Sequence, residues 1–520
     1  MSRTRTPKTL RTIAPSFVAA PPTGNSIRTR LHPTPAEAAQ LRTIGTYLGG
    51  LYRRDLKLRT TIGTVPTFLN RRAERKRELT RHSSSRWAGS ITRAAEDQYQ
   101  LGMRSLVAER DMLTAAIHAL ETRLAVTPGN KSNTGVTGYR TLREQRAKRV
   151  RLRGLGTRLK TVDARCAVGS PTIVVGGKRL WSARQNLTAA GLTANAWRTR
   201  WDATRMFLTA DGESGAPWGN QTIRVESDGT LAIKVPAALV DTVGVKLRLS
   251  TPVVFTHRAT EWADRTHTQQ AIRYDISFDA DNDRWYLVAS WSYRDTITIP
   301  PLVALQTGRI VGVDLNADHL TAGIIDSSGN PVGVPAIIPL VVDGLPASTR
   351  DGHLRHAIST LLDQAVTAHA DAIAIENLNF ADARATGRET MGRGRRGKKF
   401  RRTVAGIPTA QFRERLIAMA ANRGIWIIAI DPAYTSRWGG QHWTKPLQQR
   451  TSGHTVTRHQ AAAVAIGRRA HGHSIKRKVD GNRTQQRMRP TPPTPNVVMK
   501  PVDTAPVTGL PRHQPPKLTG

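Results

Sequence analysis

At 520 residues, 39% apolar and 22% charged, the chain is long enough for about three domains of roughly 150 residues each. Its 78 Lys+Arg against 38 Asp+Glu leave a formal net charge of +40, which points to a polyanion partner, and nucleic acid gains from counterion release. One cysteine, Cys166, excludes a disulfide framework and a thiolate zinc site and fits a reducing compartment; no apolar run approaches the roughly 20 residues of a membrane span, and the basic start lacks the apolar stretch of a signal peptide.

Residues 1–24 are basic and rich in Pro and Thr, and are expected to be disordered. Ile27 and Leu31 alternate in a first strand over 25–33, and Pro35 opens a helix at the first-turn position that tolerates proline. A helical region follows over 34–167. Within it Met103, Leu106, Leu113, Ile117, Leu120 and Leu124 recur at steps of three, four or seven, so a long helix is expected to pack on another, with Arg110 interrupting the seam. AVTPGNKSNTGVTGY reads as a loop, and LREQRAKRVRLRGLGTRLK as a basic helix. Arg143, Arg146, Lys148, Arg149, Arg151 and Arg153 on that helix face either water or phosphate, and the global charge favours phosphate.

Between 168 and 300 the period changes to two. TIRVESDGTLAIKVP and AIRYDISFDADNDRWYLVASW each pair alternating segments across a turn, the signature of hairpins in a β-rich domain. Trp197 and Trp201 fall on a nearby helix; with Trp285 and Trp291 they read as core more readily than as stacking platforms.

The informative region is 301–472. GRIVGVDLNADHLTAGIID predicts an apolar strand ending in Asp314, a tight turn and a second strand; VGVPAIIPL is a third. A helix over DGHLRHAISTLLDQAVTAHA leads to a second apolar strand, DAIAIENLNF, ending in Glu376. A carboxylate at the end of a buried strand is costly unless neutralised, and a divalent cation is the usual neutraliser. Two such acids, separated by a meander and a helix, suit an RNase H-like fold in which carboxylates hold magnesium or manganese for phosphodiester cleavage. WIIAI ends in Asp431, which either supplies a third acid or is an ordinary Asp-Pro turn residue.

On these motifs the chain resembles the TnpB transposon nucleases and the miniature type V CRISPR effectors. GVDLNADHLTAGIID resembles their first RuvC motif, AIAIENLNF the second, and HQAAAVAIGRRAHG the Ala-rich helix of the third. IPTAQFRERL, GIWIIAIDPAYTS and SIRTRLHPTPAEAAQL resemble further segments; the likeness covers most of the chain and is densest over 308–470. The resemblance implies a helical lobe with a β-barrel-like, wedge-like domain, followed by a RuvC-type α/β nuclease domain at 301–435 and 457–472. It implies a guide RNA and a double-stranded DNA target as partners, a short flanking motif read in duplex DNA, and metal-dependent cleavage through Asp314, Glu376 and Asp431. An RNA-guided binder without cleavage and a transposase-like protein are the alternatives; the oligomeric state stays open.

Two departures stand out. The family's zinc-finger cysteines are missing from YTSRWGGQHWTKPL, so the insert at 436–456 is expected to pack around its tryptophans without zinc. Arg458 stands where the third motif carries its acid, which is why Asp431, with His459 as a polar helper, is the candidate replacement. Arg393, Arg395, Arg396, Lys398, Lys399, Arg401 and Arg402 in GRETMGRGRRGKKFRR form a Gly-interrupted basic loop expected to meet phosphates. The basic, Pro-rich stretch 473–520 is expected to be a disordered tail.

Overall fold

The computed structural model describes residues 12–63, 68–293, 297–342, 344–377, 409–453 and 455–476. Thr34 starts helix α1 (Pro35–Ile62) with a reciprocal cap: its hydroxyl accepts from the Glu37 N–H, and the Glu37 carboxylate accepts from the Thr34 N–H at 2.7 Å. Helices α2 (Phe68–His82), α3 (Ser85–Leu124) and α4 (Leu142–Val168) follow. The first half of α3 buries Trp87, Ala88 and Ile91 against Leu41, Ile44 and Leu48 of α1. Its second half stands out as a hairpin with α4, closed by Leu106, Leu113 and Val162. The expected seam is therefore buried only at its centre; Ile117, Leu120 and Leu124 stay half-exposed because a single partner helix covers them.

Helices α5 (Lys178–Ala183) and α6 (Ala194–Ala203) lead into the β-rich region, with α7 (Val240–Val243) and α8 (Ala259–His267) between its strands. Strands β2 (Gly24–Leu31), β8 (Arg284–Ser292), β7 (Arg273–Asp279) and β3 (Thr209–Ala210) form one antiparallel sheet in that order. Strands β4 (Ile223–Val225), β5 (Leu231–Lys234) and β6 (Lys246–Arg248) form another. Both hairpins read from the sequence are present: Ile223 faces Ile233, and Phe278 faces Trp285. The barrel expectation is corrected. Among the described residues these are two open sheets that do not join into a barrel, and Ile27, Leu31 and Leu287 of one and Ile233 of the other share one core with α1 and α3.

After the short α9 (Leu302–Leu305), β9 (Arg309–Leu315), β10 (His319–Ile325) and β11 (Ala336–Pro339) make an antiparallel meander. Helix α10 (Ala347–Thr367) crosses to β12 (Ala370–Glu376), which lies parallel to β9, and α11 (Thr409–Ala421) leads to β13 (Trp426–Ile430), parallel to β12. Helices α12 (Thr435–Gln448) and α13 (Arg458–Ala470) complete the domain. This is the meander, helix and parallel-strand order expected of an RNase H-like domain. The sheet has two unlike faces. Val311, Val313, Ile373 and Ile375 pack on helices α10 and α11 through Ile358, Leu361, Phe412 and Leu416. Ile310, Ala372, Ala374, Ile428 and Ile430 lie on the opposite face with Ile466 and Ala470 of α13.

Three expectations for irregular segments are corrected. From Thr12 onward the amino-terminal stretch is ordered: β1 (Phe17–Val18) pairs antiparallel with the outer edge of β13, and the Ala19 N–H donates to Ile427 O at 2.8 Å. An edge strand needs a partner, and the unpaired side of β13 supplies one. The segment read as a separate insert, 436–456, is continuous with the domain: it is largely α12, laid on α13 with Leu447 and the expected tryptophan, Trp443, buried against Val464 and Ala465. The tail read as starting at 473 begins with an anchored turn, because Ile475 is buried in that same cluster and its carbonyl accepts from Trp443 Nε1 at 2.9 Å. No helix among the described residues is long and apolar enough to cross a membrane.

Candidate active site

Strand register brings the two acids of the sequence together. Gly312 faces Ala374 and Val313 faces Ile375, so Asp314 and Glu376 are the next neighbours across parallel strands. Side chains alternate along a strand, and both acids therefore belong to the α13 face. Asp314 is 6% exposed, and its Oδ2 accepts from Asn316 Nδ2 at 3.0 Å and from His459 Nδ1 at 2.9 Å. Asn316 Nδ2 also lies 3.3 Å from His319 Nε2, and His319 Nδ1 lies 2.7 Å from Asp318 Oδ1. With Asp318 ionised, His319 donates from Nδ1 and accepts from Asn316 at Nε2, so one tautomer satisfies the whole chain.

Glu376 accepts a hydrogen bond from the Thr435 hydroxyl. Burial pushes its carboxyl up from 4.5 to about 7, and the charges of Asp314 and Asp431 push the same way; the Thr435 hydrogen bond and the Arg469 cation oppose them. Arg469 itself donates to the carbonyls of Asp431 and Ala433, which ties α13 to the turn after β13.

Asp431 is close enough to influence Glu376, but its register differs. Glu376 faces Ile430, so Asp431 lies one residue past the pair, where the strand has ended at an Asp-Pro turn. Its Oδ1 accepts from the Ala433 N–H at 2.8 Å and its Oδ2 from the Ala14 N–H at 2.9 Å. Its carboxylate thus fastens the amino-terminal segment to the sheet. Asp431→Asn is expected to lower the melting temperature by a few degrees, since an amide cannot accept at both atoms, while cleavage per folded molecule stays within about tenfold. A loss of several hundredfold with an unchanged melting temperature would instead make Asp431 a cation ligand.

The third-motif stretch is resolved residue by residue. Thr457 caps α13 in a reciprocal box with Gln460, Arg458 is exposed, and His459 turns inward to Asp314. The position expected to hold an acid thus points to solvent, and a histidine one residue on meets the carboxylate. The helix also presents its positive end to Asp314.

This approach depends on small residues. A Cβ on Gly312 would sit 2.2 Å from Ala463 O and 2.5 Å from Gly467 N. Gly312→Val is expected to lift α13 off the sheet, withdraw His459 from Asp314 and lower both activity and melting temperature. Thermal unfolding and cleavage rates check it; an unshifted melting temperature would contradict the packing argument.

Among the described residues no group of three His, Cys, Asp or Glu is arranged to hold a metal ion. Asp314 and Glu376 nevertheless suit a divalent cation: each has one oxygen outside the hydrogen bonds described above, and a cation would offset the burial, and then the neighbouring negative charge, that raise Glu376. Magnesium in phosphate chemistry is commonly held by one or two carboxylates with the rest of its shell from water and substrate phosphate. Thr435, Asn316 and Arg469 are site residues that sequence reasoning missed; only the YTS segment, quoted for its resemblance, hinted at Thr435.

Of the basic candidates, Arg143, Arg146, Arg149, Arg151 and Arg153 are exposed on α4 and Lys148 is half-buried; none is ion-paired among the described residues, whereas Arg158 of the same helix pairs with Glu109. Arg393, Arg395, Arg396, Lys398, Lys399, Arg401 and Arg402 lie outside the described residues.

No family model matches the chain, and no curated protein does. Among solved structures, it is similar to T. thermophilus RuvC in complex with a Holliday junction substrate, with 14% identity, a TM-score of 0.22 and coverage of 31% of this chain and 91% of that one. A second Thermus thermophilus RuvC structure is similar at 15% identity and a TM-score of 0.20, over 32% of this chain and 92% of that one.

Proposed function

We propose that the chain is a divalent-metal-dependent endonuclease that cuts DNA at Asp314 and Glu376, and that a bound guide RNA directs it to its target. The observation that carries the nuclease reading is the pair of strand-end carboxylates on one sheet face, with Glu376 raised to about 7 beside its acidic neighbours. When bound, magnesium would activate water and stabilise the leaving oxygen of the phosphodiester. In this reading Asp314 and Glu376 are the protein's ligands. Asn316 and His459 fix the Asp314 carboxylate so that its other oxygen stays aimed outward, and Thr435 does the same for Glu376. Arg469 offsets part of the negative charge of the acids.

Support for the guide is of a different kind. It rests on the net charge of +40, on the exposed arginines of α4 and on the resemblance of the sequence motifs to RNA-guided nucleases. Guide pairing would then read sequence while the protein holds backbone and shape. The test is to purify the protein with its bound nucleic acid, sequence any RNA, and offer a matching duplex with magnesium. RNA-dependent cleavage of the matched duplex alone supports the whole reading. RNA-specific binding without cleavage favours the binder alternative, for which the exposed Arg458 in the third motif speaks.

A further inference from the structure

A second concave site lies in the amino-terminal lobe, away from the carboxylates. Glycines on α1 let the helix lie directly on the segment after α6. The Phe207 N–H donates to Gly45 O at 2.9 Å, and a Cβ on Gly49 would sit 2.1 Å from Arg205 O. Beside this contact is a cavity of about 460 Å³, lined by Arg42 and Arg53 of α1, Thr199 and Asp202 of α6, Arg205, and Phe278 of β7.

Arg42, Arg53, Arg205 and the carboxylate-bearing Asp202 thus line one hollow. Arg53 donates to the Arg205 carbonyl at 3.0 Å. The Arg205 guanidinium sits 4.8 Å from the centre of the Trp201 ring, and its Nε is buried with no hydrogen-bond partner. Among the described residues neither Arg53 nor Arg205 has an ion pair, and that of Arg42 is a loose 3.7 Å contact with the exposed Asp283. Burial, then the charge of Arg205, holds the Arg53 guanidinium below its ordinary value. An excess of like charge in a hollow is relieved by an anion with several acceptor oxygens. The volume falls in the usual range for small-molecule sites, and Phe278 gives the hollow an apolar wall.

We propose that this cavity binds a phosphorylated nucleotide, with Arg53 and Arg205 on the phosphate and the base at the rim against the Arg42 guanidinium, which lies 4.6 Å from the centre of the Phe278 ring. The nucleotide is either free or the phosphorylated end of a nucleic acid strand. The site does not depend on the nuclease reading, since it shares no residue with the carboxylate pair.

The test is calorimetric titration of the full chain, stripped of nucleic acid at high salt, with adenosine monophosphate, adenosine, inorganic phosphate, and a tetranucleotide with and without a 5′-phosphate. Binding of adenosine monophosphate at least tenfold tighter than adenosine assigns a free nucleotide. Binding of the 5′-phosphorylated tetranucleotide alone assigns a strand end. In either case Arg205→Gln and Arg42→Gln are expected to weaken binding roughly tenfold each, while Arg355→Gln on α10 leaves it within twofold. Arg42 is on the exposed rim, so its variant tests the site even if Arg205→Gln disturbs folding. Equal affinity for phosphorylated and unphosphorylated probes, inorganic phosphate binding as tightly as the nucleotide, no binding of any probe, or unchanged affinity in both natively folded variants would overturn the proposal.

Discussion

Asp314→Ala is expected to reduce magnesium-dependent cleavage of a matched duplex by a factor of roughly 10² to 10³ or more while target binding stays within about threefold. The carboxylate sits at the end of β9, in the position nearest to Glu376, and two side chains are spent on orienting it. Alanine removes the ligand and also leaves His459 Nδ1 without its acceptor and Asn316 Nδ2 with only His319 Nε2, at partly buried positions; a loss of stability of about 1–3 kcal/mol follows. Asp314→Asn separates the two effects. It keeps an acceptor for His459 and removes the charge, so its melting temperature should stay near that of the parent while cleavage remains lost. The measurement is single-turnover cleavage of a labelled duplex alongside a binding assay in calcium, which supports binding with little chemistry. Cleavage by Asp314→Asn at the parent rate would place the chemistry elsewhere.

The same residues show how far the sequence could be read. β9 and β12 were legible because each is an apolar run that stops at an acid, and an isolated carboxylate at a buried strand end has few inexpensive explanations. The face each acid occupies was also implicit, since Gly312, Asp314, Ala374 and Glu376 share one parity. Asp431 shows the limit. It ends an apolar run in the same way, but parity relative to the neighbouring strand is set by pairing register, and Glu376 faces Ile430. A shift of one residue separates a side chain on the paired face from one that fastens a turn. The strand Phe17–Val18 was illegible for a related reason: two residues carry no periodicity, and their order comes from the edge of β13 more than four hundred residues away. Barrel closure likewise depends on which edges meet, and alternation within a hairpin is silent on that. The arginine cavity collects side chains from α1, α6 and β7, whose proximity exists only once Gly45 and Gly49 have let α1 settle.

Glu376→Gln should abolish cleavage and, in the metal-free protein at pH 8, raise the melting temperature by a few degrees. The sign follows from linkage. The folded-state carboxyl titrates at about 7 against 4.5 when unperturbed, so between those values the native state holds a proton that the unfolded chain has released. Stability contributed by this group is then highest at low pH, falls as pH rises through the window from 4.5 to about 7, and stays at its minimum above it. At roughly 1.4 kcal/mol per pH unit the shift corresponds to a destabilisation on the order of 3 kcal/mol at pH 8, part of which glutamine recovers because its amide oxygen still accepts from Thr435. The gain should shrink toward zero below about pH 4.5, where the parent carboxyl is protonated in both states. Magnesium should reverse the order at pH 8, because binding to the native site stabilises the parent and not the amide. Melting curves of both proteins at pH 5 and pH 8, with chelator and with magnesium, give four comparisons. A parent that is more stable than Glu376→Gln in chelator at pH 8 would mean that Glu376 is a satisfied structural carboxylate and not one destabilised by burial beside Asp314 and Asp431.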